Sequence, residues 1–420
     1  MPPSVNASLP VDRETQVRKI GYLESLRGLA AAQVLFLHIL TAFFPGFVQF
    51  SQNQTVADLI HSSPLFFFYD GYSAVYLFFV LSGFVLSFAF ARQTGHPAAT
   101  LTGRYIRLAI PAFCAVLVAF ATKLLFGTSN MEAGEIVGSS WLSNLWTPDS
   151  GIGFFIKEAL FNSTIAGYRE VSLGARMGFE ASLDPLSKAY VSPLWTLSIE
   201  LHGSFLVFLL VWLRTRSQLA WILVLAVSSY ILGLTHYFAF IIGHLFAHFR
   251  GRQETGSTAK ELIAAILIAV GIFLCVNQEH GLLPLFQSVC AAEIPGMLGC
   301  TYHIQKLAGA MLIFAGVLHS GLLKKALSGK PLVMLGRLSF PIYLAHWPVI
   351  FGPAAWLIVW LSEDLGAFNA ALLASVFTLF ASVLLALLLL RADVFAVESA
   401  RYVRKRLARL PVSTPSRAAR

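Results

Sequence analysis

Residues 72–91 read YSAVYLFFVLSGFVLSFAFA and carry no charge. About 20 apolar residues in a helix are enough to cross the hydrocarbon core of a bilayer. The sequence therefore predicts a membrane-spanning helix here, and it contains further apolar runs that fit the same description. These runs are residues 28–47, 105–126, 193–213, 218–234, 237–249, 261–277, 304–323, 338–360 and 368–390. We expect an all-α, polytopic membrane protein with about ten transmembrane helices.

The composition agrees with this fold class. Of the 420 residues, 57% are hydrophobic and only 12% are charged, whereas soluble domains carry about 25% charged residues. The net charge of +9 would suit a nucleic-acid partner, but the basic residues stand at the ends of the apolar runs. This placement is typical of topology signals, so we expect no nucleic-acid partner.

The basic residues also predict an orientation. Lys and Arg concentrate at alternate ends of the apolar runs, and cytoplasmic flanks carry such an excess. We expect both termini in the cytoplasm of a multi-pass protein of the plasma or inner membrane. The predicted organisation is a polar cytoplasmic segment (1–27), a transmembrane domain (28–391) that contains a long extracytoplasmic loop (127–192), and a basic cytoplasmic tail (392–420).

Ionisable residues inside apolar helices are the main candidates for function, because each is costly in a membrane unless it is paired or hydrated. Arg27 and His38 are eleven residues apart, which returns nearly to the same helix face after a rise of about 16 Å. A cation at the mouth of a groove with an imidazole deeper in it suits a long anionic substrate. Alternatively, Arg27 is a topology charge and His38 hydrogen-bonds a neighbouring helix.

Two further arginines lie at the same predicted cytoplasmic side. Arg104 and Arg107 share one helix face at i,i+3, and paired guanidinium groups are good phosphate ligands. Both can equally be topology charges.

Glu200 is the carboxylate in the fourth apolar run. It is predicted to orient His38 or to hold a substrate hydroxyl, or else to be the structural partner of a buried cation or amide.

Other polar features receive structural interpretations. Ser82 and Gly83 interrupt an apolar helix and predict close helix packing. His244 and His248 have i,i+4 spacing but lack the acid of a H-E-x-x-H motif, so no metal site is predicted. Cys290 and Cys300 lie in a predicted outside loop, where they either pair or stay reduced.

Five phrases occur in an order that resembles acyltransferase family 3, a family of integral membrane O-acyltransferases. They are YLESLRGLAAAQVLFLH (22–38), FFVLSGFVLSF (78–88), RYIRLAIP (104–111), WTLSIE (195–200) and YLAHWP (343–348). Each phrase is weak evidence alone, but five in order are strong. The family phrase commonly continues with a second acid after Glu200, where this chain has Leu201, so no role transfers to that position.

The resemblance implies an acyltransferase that moves an acyl group, acetyl in the simplest case, from cytoplasmic acyl-CoA to a hydroxyl of a carbohydrate or another envelope or secreted acceptor. It implies that the CoA phosphates bind Arg27, Arg104 and Arg107. His38 is then the general base or carries the acyl group itself, with Glu200 as the second catalytic residue. Acyl-CoA is a donor substrate, and no permanently bound cofactor is expected.

Two alternatives lack acyl chemistry. In the first, the protein is a transporter that uses the three arginines as a path for an anionic substrate. In the second, it is a catalytically inactive scaffold of a cell-envelope complex.

Overall fold

The computed structural model describes residues 13–48, 60, 63–93, 96–149, 151–249, 258–276, 288–291, 297–298 and 304–407, with side chains from residue 21 onward. Every regular element in these residues is helical. The α-helices are α1 (Arg13–Phe43), α2 (Gly71–Ala91), α3 (Pro97–Phe126), α4 (Ser129–Val137), α5 (Ser140–Asn144), α6 (Ile152–Lys157), α7 (Trp195–Arg214), α8 (Gln218–Leu232), α9 (Tyr237–His248), α10 (Thr258–Val276), α11 (Ile304–His319), α12 (Gly321–Leu327), α13 (Lys330–Val349) and α14 (Ala355–Leu407).

Helices long and apolar enough to cross a membrane number six in the described residues, or seven if the bent pair α11 and α12 forms one span. One of the six is the continuous run Lys330–Leu407, which contains two of the predicted spans. Its backbone leaves the helical conformation at Gly366 (φ 77°), between those two spans. Helices α8 and α9 are apolar but shorter. The all-α membrane fold is confirmed, whereas the count of ten and the cytoplasmic position of both termini remain predictions.

Helix ends differ from the apolar runs in places that matter. Helix α3 begins at Pro97, with the His96 side chain as its N-cap. Arg104 therefore lies two turns inside the helix, whereas hydropathy predicted a start at Tyr105. Helix α1 likewise begins at Arg13, inside the predicted polar segment, and α14 continues to Leu407, inside the predicted tail. Polar turns extend these helices beyond the apolar core that a hydropathy criterion detects.

The predicted loop 127–192 packs against the helical bundle. It contains α4, α5 and α6, and α6 continues as a π-helix over Glu158–Ala166. The Tyr105 hydroxyl of α3 donates to the Leu160 carbonyl at 3.2 Å, and the Phe155 ring packs on Phe120. This segment is therefore part of the same packed structure as the membrane helices.

Helices α1 and α13 cross in parallel at two glycines. A Cβ added to Gly28 would lie 2.6 Å from the backbone nitrogen of Gly336, so the two backbones are in direct contact. The predicted close approach at Gly83 is also confirmed, because a Cβ there would lie 2.3 Å from the Phe240 carbonyl oxygen. Small residues thus set the spacing of the bundle.

A buried ion pair links three helical elements on another side of α2. Lys306 Nζ lies 2.8 Å from Asp70 Oδ2, and both side chains are fully buried. Lys306 also donates to the Cys275 carbonyl at 2.6 Å, while Asp70 caps α2 at the amide of Ser73. Cys300, which the sequence offers as a disulfide partner for Cys290, lies outside the described residues.

Candidate functional site

A cavity of about 480 Å³ lies between α1, α2, α3, α7, α13 and α14. Its charged lining consists of Glu24, Arg27, Arg104, Arg107, Glu200, Arg337 and Asp393, and its apolar wall includes Val75, Phe78, Phe79, Leu197, Phe340 and Leu390. A site with four guanidinium groups and a long apolar wall suits a molecule that is anionic at one end and apolar further along.

The structure brings Arg27, Arg104 and Arg107 together in this cavity, as the sequence predicted. Arg104 forms an ion pair with Glu200, and its Nε donates to Ser204 Oγ at 2.8 Å. These contacts use much of the hydrogen-bonding capacity of Arg104, which leaves less of it for a ligand.

Arg27 is also paired, with Nη1 lying 3.4 Å from Glu24 Oε2. Arg107, in contrast, forms no ion pair with any described residue.

Glu200 does not lie beside His38, where one sequence-based prediction placed it. Its carboxylate contacts Arg104, whereas the ring of His38 contacts His346. The geometry therefore does not support Glu200 as the residue that orients His38. It matches the alternative in which Glu200 is the partner of a buried cation.

His38 and His346 form a stacked pair. His38 Nδ1 lies 2.8 Å from His346 Nε2, and the ring centroids are 5.0 Å apart with an interplanar angle of 7°. His346 Nδ1 lies 3.2 Å from the Ile342 carbonyl oxygen, which can only accept a hydrogen bond. For two neutral imidazoles this places the His346 proton on Nδ1, so His346 Nε2 accepts from His38 Nδ1–H. His38 Nε2 then keeps a free lone pair.

Aromatic side chains surround this pair. Trp141 stacks on His38 with ring centroids 5.6 Å apart, and Trp347 meets it edge-on at 5.5 Å. Trp141 belongs to α5, so the segment 127–192 contributes a residue to the histidine site. Sequence reasoning did not identify Trp141 or His346 as partners of His38.

Tyr343 separates the cavity from the histidine pair. It lines the cavity, and its ring centroid lies 5.9 Å from that of His346. Its hydroxyl donates to the Pro193 carbonyl at 2.5 Å and contacts Thr196 Oγ1 at 2.9 Å. The cavity thus ends one helical turn short of His346.

Outside this region, His244 is a structural histidine. Its Nδ1 contacts Ser87 Oγ at 2.9 Å, and its Nε2 accepts from the Trp221 indole at 3.1 Å. Both ring nitrogens are therefore occupied. Among the described residues, no three His, Cys, Asp or Glu side chains group in a way that could hold a metal ion.

Glu158, in the segment 127–192, is a buried carboxyl that forms no ion pair with any residue the structure describes. It accepts hydrogen bonds from the Tyr168 hydroxyl and from Asn162 Nδ2 at 3.3 Å. Burial raises the pKa of Glu158 to about 7, and the nearby Asp184 carboxylate acts in the same direction.

Comparisons with known proteins agree with the geometry. The sequence model of a family described as an acyltransferase domain matches residues 20–391. O-acetyltransferase PaAT-1 of Phomopsis amygdali is 25% identical over 384 residues, covering 78% of this chain and 72% of that protein. No solved structure matches the chain significantly.

Proposed function

We propose a donor and an acceptor for this chain, which belongs to the acyltransferase family whose sequence model matches residues 20–391 and is an O-acyltransferase of the membrane. It transfers an acyl group from cytoplasmic acyl-CoA to a hydroxyl of a carbohydrate or another envelope or secreted acceptor. The proposed acyl group is acetyl, in keeping with the name of the O-acetyltransferase from Phomopsis amygdali. The proposed location of the protein is the plasma or inner membrane. Membership of an enzyme family disfavours the transporter and scaffold alternatives.

One observation carries the donor assignment. The cavity with four guanidinium groups ends at Tyr343, one helical turn before the buried His346 and its half-buried partner His38. A CoA thioester has its phosphates at one end and its reactive carbonyl at the other. This arrangement would allow the phosphates to bind the arginines while the thioester approaches His38.

The proposed chemistry uses His38 as the general base. Its free Nε2 takes the proton from the acceptor hydroxyl, and the oxygen attacks the thioester carbonyl. The tetrahedral intermediate collapses with cleavage of the carbon–sulfur bond. The proton on His38 then passes to the departing CoA sulfur, so the imidazole is neutral again at the end of the cycle.

His346 has a positioning role in this proposal. Its Nε2 accepts from His38 Nδ1 at 2.8 Å, which holds the tautomer that leaves His38 Nε2 unprotonated. The same contact stabilises the His38 imidazolium while it carries the transferred proton.

The test is acyl-CoA-dependent release of free CoA by purified protein in lipid, with a panel of acyl-CoAs and hydroxyl acceptors. We expect turnover in the wild type and its loss in His38→Ala. His319→Ala is the matched control, because His319 is exposed and lies outside the site. Monodispersity and melting temperature establish that the variants are folded. Equal turnover in His38→Ala and wild type would refute the role of His38.

A further inference from the structure

We propose that Arg337, which lies outside the five family phrases, binds the phosphates of the donor together with Arg107, and that Arg27 and Arg104 mainly shape the cavity. This proposal rests on the proposed function, because it assigns the phosphate-binding groups of the same donor site. Arg337 follows Gly336 at the crossing of α1 and α13, and its sequence context alone suggests only a topology charge.

The four arginines of the cavity differ in their pairing. Arg27 Nη1 lies 3.4 Å from Glu24 Oε2, and Arg104 forms an ion pair with Glu200. Neither Arg107 nor Arg337 forms an ion pair with any residue in the part of the chain that the structure describes. Their guanidinium groups are thus available for an anion, and phosphate is an anion that guanidinium groups bind in a bidentate manner.

The four arginines also differ in their exposure to solvent. Arg107 and Arg337 are solvent-exposed, whereas Arg27 and Arg104 are partly buried. The two unpaired cations therefore lie where a highly charged nucleotide can remain partly hydrated. A phosphate placed against Arg104 would instead meet the carboxylate of Glu200, which repels it.

The charge of the cavity lining also favours an anion. The cavity has four arginines and three acidic residues. Pairing Arg27 with Glu24 and Arg104 with Glu200 leaves Arg107, Arg337 and Asp393. Two cations with one carboxylate nearby retain a net positive charge, which favours an incoming anion.

The competing source of the same chemistry is the phosphate of a lipid headgroup. Exposed arginines near a membrane surface contact anionic lipids, and such a contact would also leave them without protein partners. Binding of CoA and binding of lipid are distinguished by ligand truncation and by lipid composition.

The experiment measures equilibrium binding of CoA, 3′-dephospho-CoA and pantetheine to the full chain in nanodiscs of zwitterionic lipid. We expect Arg337→Gln and Arg107→Gln each to weaken CoA binding at least tenfold and to leave pantetheine binding within twofold of wild type. The variant whose arginine contacts the 3′-phosphate should bind CoA and 3′-dephospho-CoA about equally. Arg401→Gln, an exposed arginine of α14 that does not line the cavity, is the matched control and should bind like wild type.

The outcomes separate this proposal from the proposed function. If wild type binds no CoA, the donor assignment itself fails. If wild type binds CoA and Arg337→Gln binds it equally well, only the present inference is overturned. If the loss in Arg337→Gln appears in nanodiscs with anionic lipid but not in zwitterionic ones, Arg337 is a headgroup contact and the inference is also overturned.

Discussion

Among the described ion pairs, Asp70–Lys306 and Arg104–Glu200 both join residues that are distant along the chain, but their surroundings differ. Asp70 and Lys306 are fully buried, and Lys306 also donates to the Cys275 carbonyl. Arg104 and Glu200 keep 12% and 15% of their side chains exposed, and both border the cavity. The first pair joins helices, whereas the second can respond to what enters the cavity. Access to a cavity, rather than charge, is what distinguishes a structural pair from a pair at a site.

The largest effect is expected for Lys306→Met. It leaves the Asp70 carboxylate buried without a cation, which costs about 3–5 kcal/mol. We expect loss of monodisperse protein on purification or a strongly reduced melting temperature. The double variant Asp70→Asn with Lys306→Met should recover part of the loss, because no uncompensated charge remains. If Lys306→Met is as stable as wild type, the fully buried pair is no more important for stability than the pair beside the cavity.

The next largest effect concerns the hydrogen-bonded pair of His38 and His346. His346→Leu removes the acceptor for His38 Nδ1–H and should lower turnover by about 100-fold, on the order of one general acid–base contribution. His346→Gln can still accept from His38 and should retain more activity. Both variants are compared by turnover number, by KM for acyl-CoA and by melting temperature. Equal activity of the Leu and Gln variants would show that His346 does not act through this hydrogen bond.

Breaking the accessible ion pair should have a smaller effect than breaking the closed one. Glu200→Gln leaves Arg104 beside a cavity that water can enter, so we expect a folded protein with turnover reduced about tenfold. Ser204→Ala removes only the neutral partner of Arg104 and should reduce turnover less. Melting temperatures of Glu200→Gln and Lys306→Met give the direct comparison. If Glu200→Gln proves as unstable as Lys306→Met, exposure to the cavity does not reduce the free-energy cost of removing one partner of an ion pair.

Glu158 differs from both acids of the ion pairs, because it is a buried carboxyl whose hydrogen bonds come from neutral side chains. Its pKa is about 7 in the folded protein, compared with an ordinary value of 4.5. Because the folded pKa is raised, its protonated form is favoured by folding, and the stability of this segment should fall as the pH rises from 5 to 8. The upper limit of the change is about 3 kcal/mol. Thermal unfolding and limited proteolysis should show this slope in wild type and a flatter one in Glu158→Gln. Identical slopes would contradict the assignment.

The sequence predicted the features that depend on local patterns. Apolar runs located the helices, and the motif spacing placed Arg27 and His38 on one helix and Arg104 and Arg107 on another. The convergence of these arginines in one cavity agrees with their predicted placement on one side of the membrane.

Pairings between distant helices could not be predicted in the same way. The partner of His38 is His346, 308 residues away along the chain. Glu200 selects Arg104 rather than His38, and Arg337 points to the cavity rather than serving only as a flanking charge. These choices depend on how the helices pack, and a single sequence contains no direct signal for that packing.

The glycine crossing of α1 and α13 has a further consequence. From Gly28 to His38 and from Gly336 to His346 the chain advances ten residues in each helix, so the two parallel helices keep register from the crossing to the histidine pair. Ten helical residues measure about 15 Å. The two helices therefore fix the distance between the charged end of the cavity and the histidine pair. A donor with its anionic group adjacent to the acyl carbon, such as an acyl phosphate, is too short to contact the arginines and His38 at the same time.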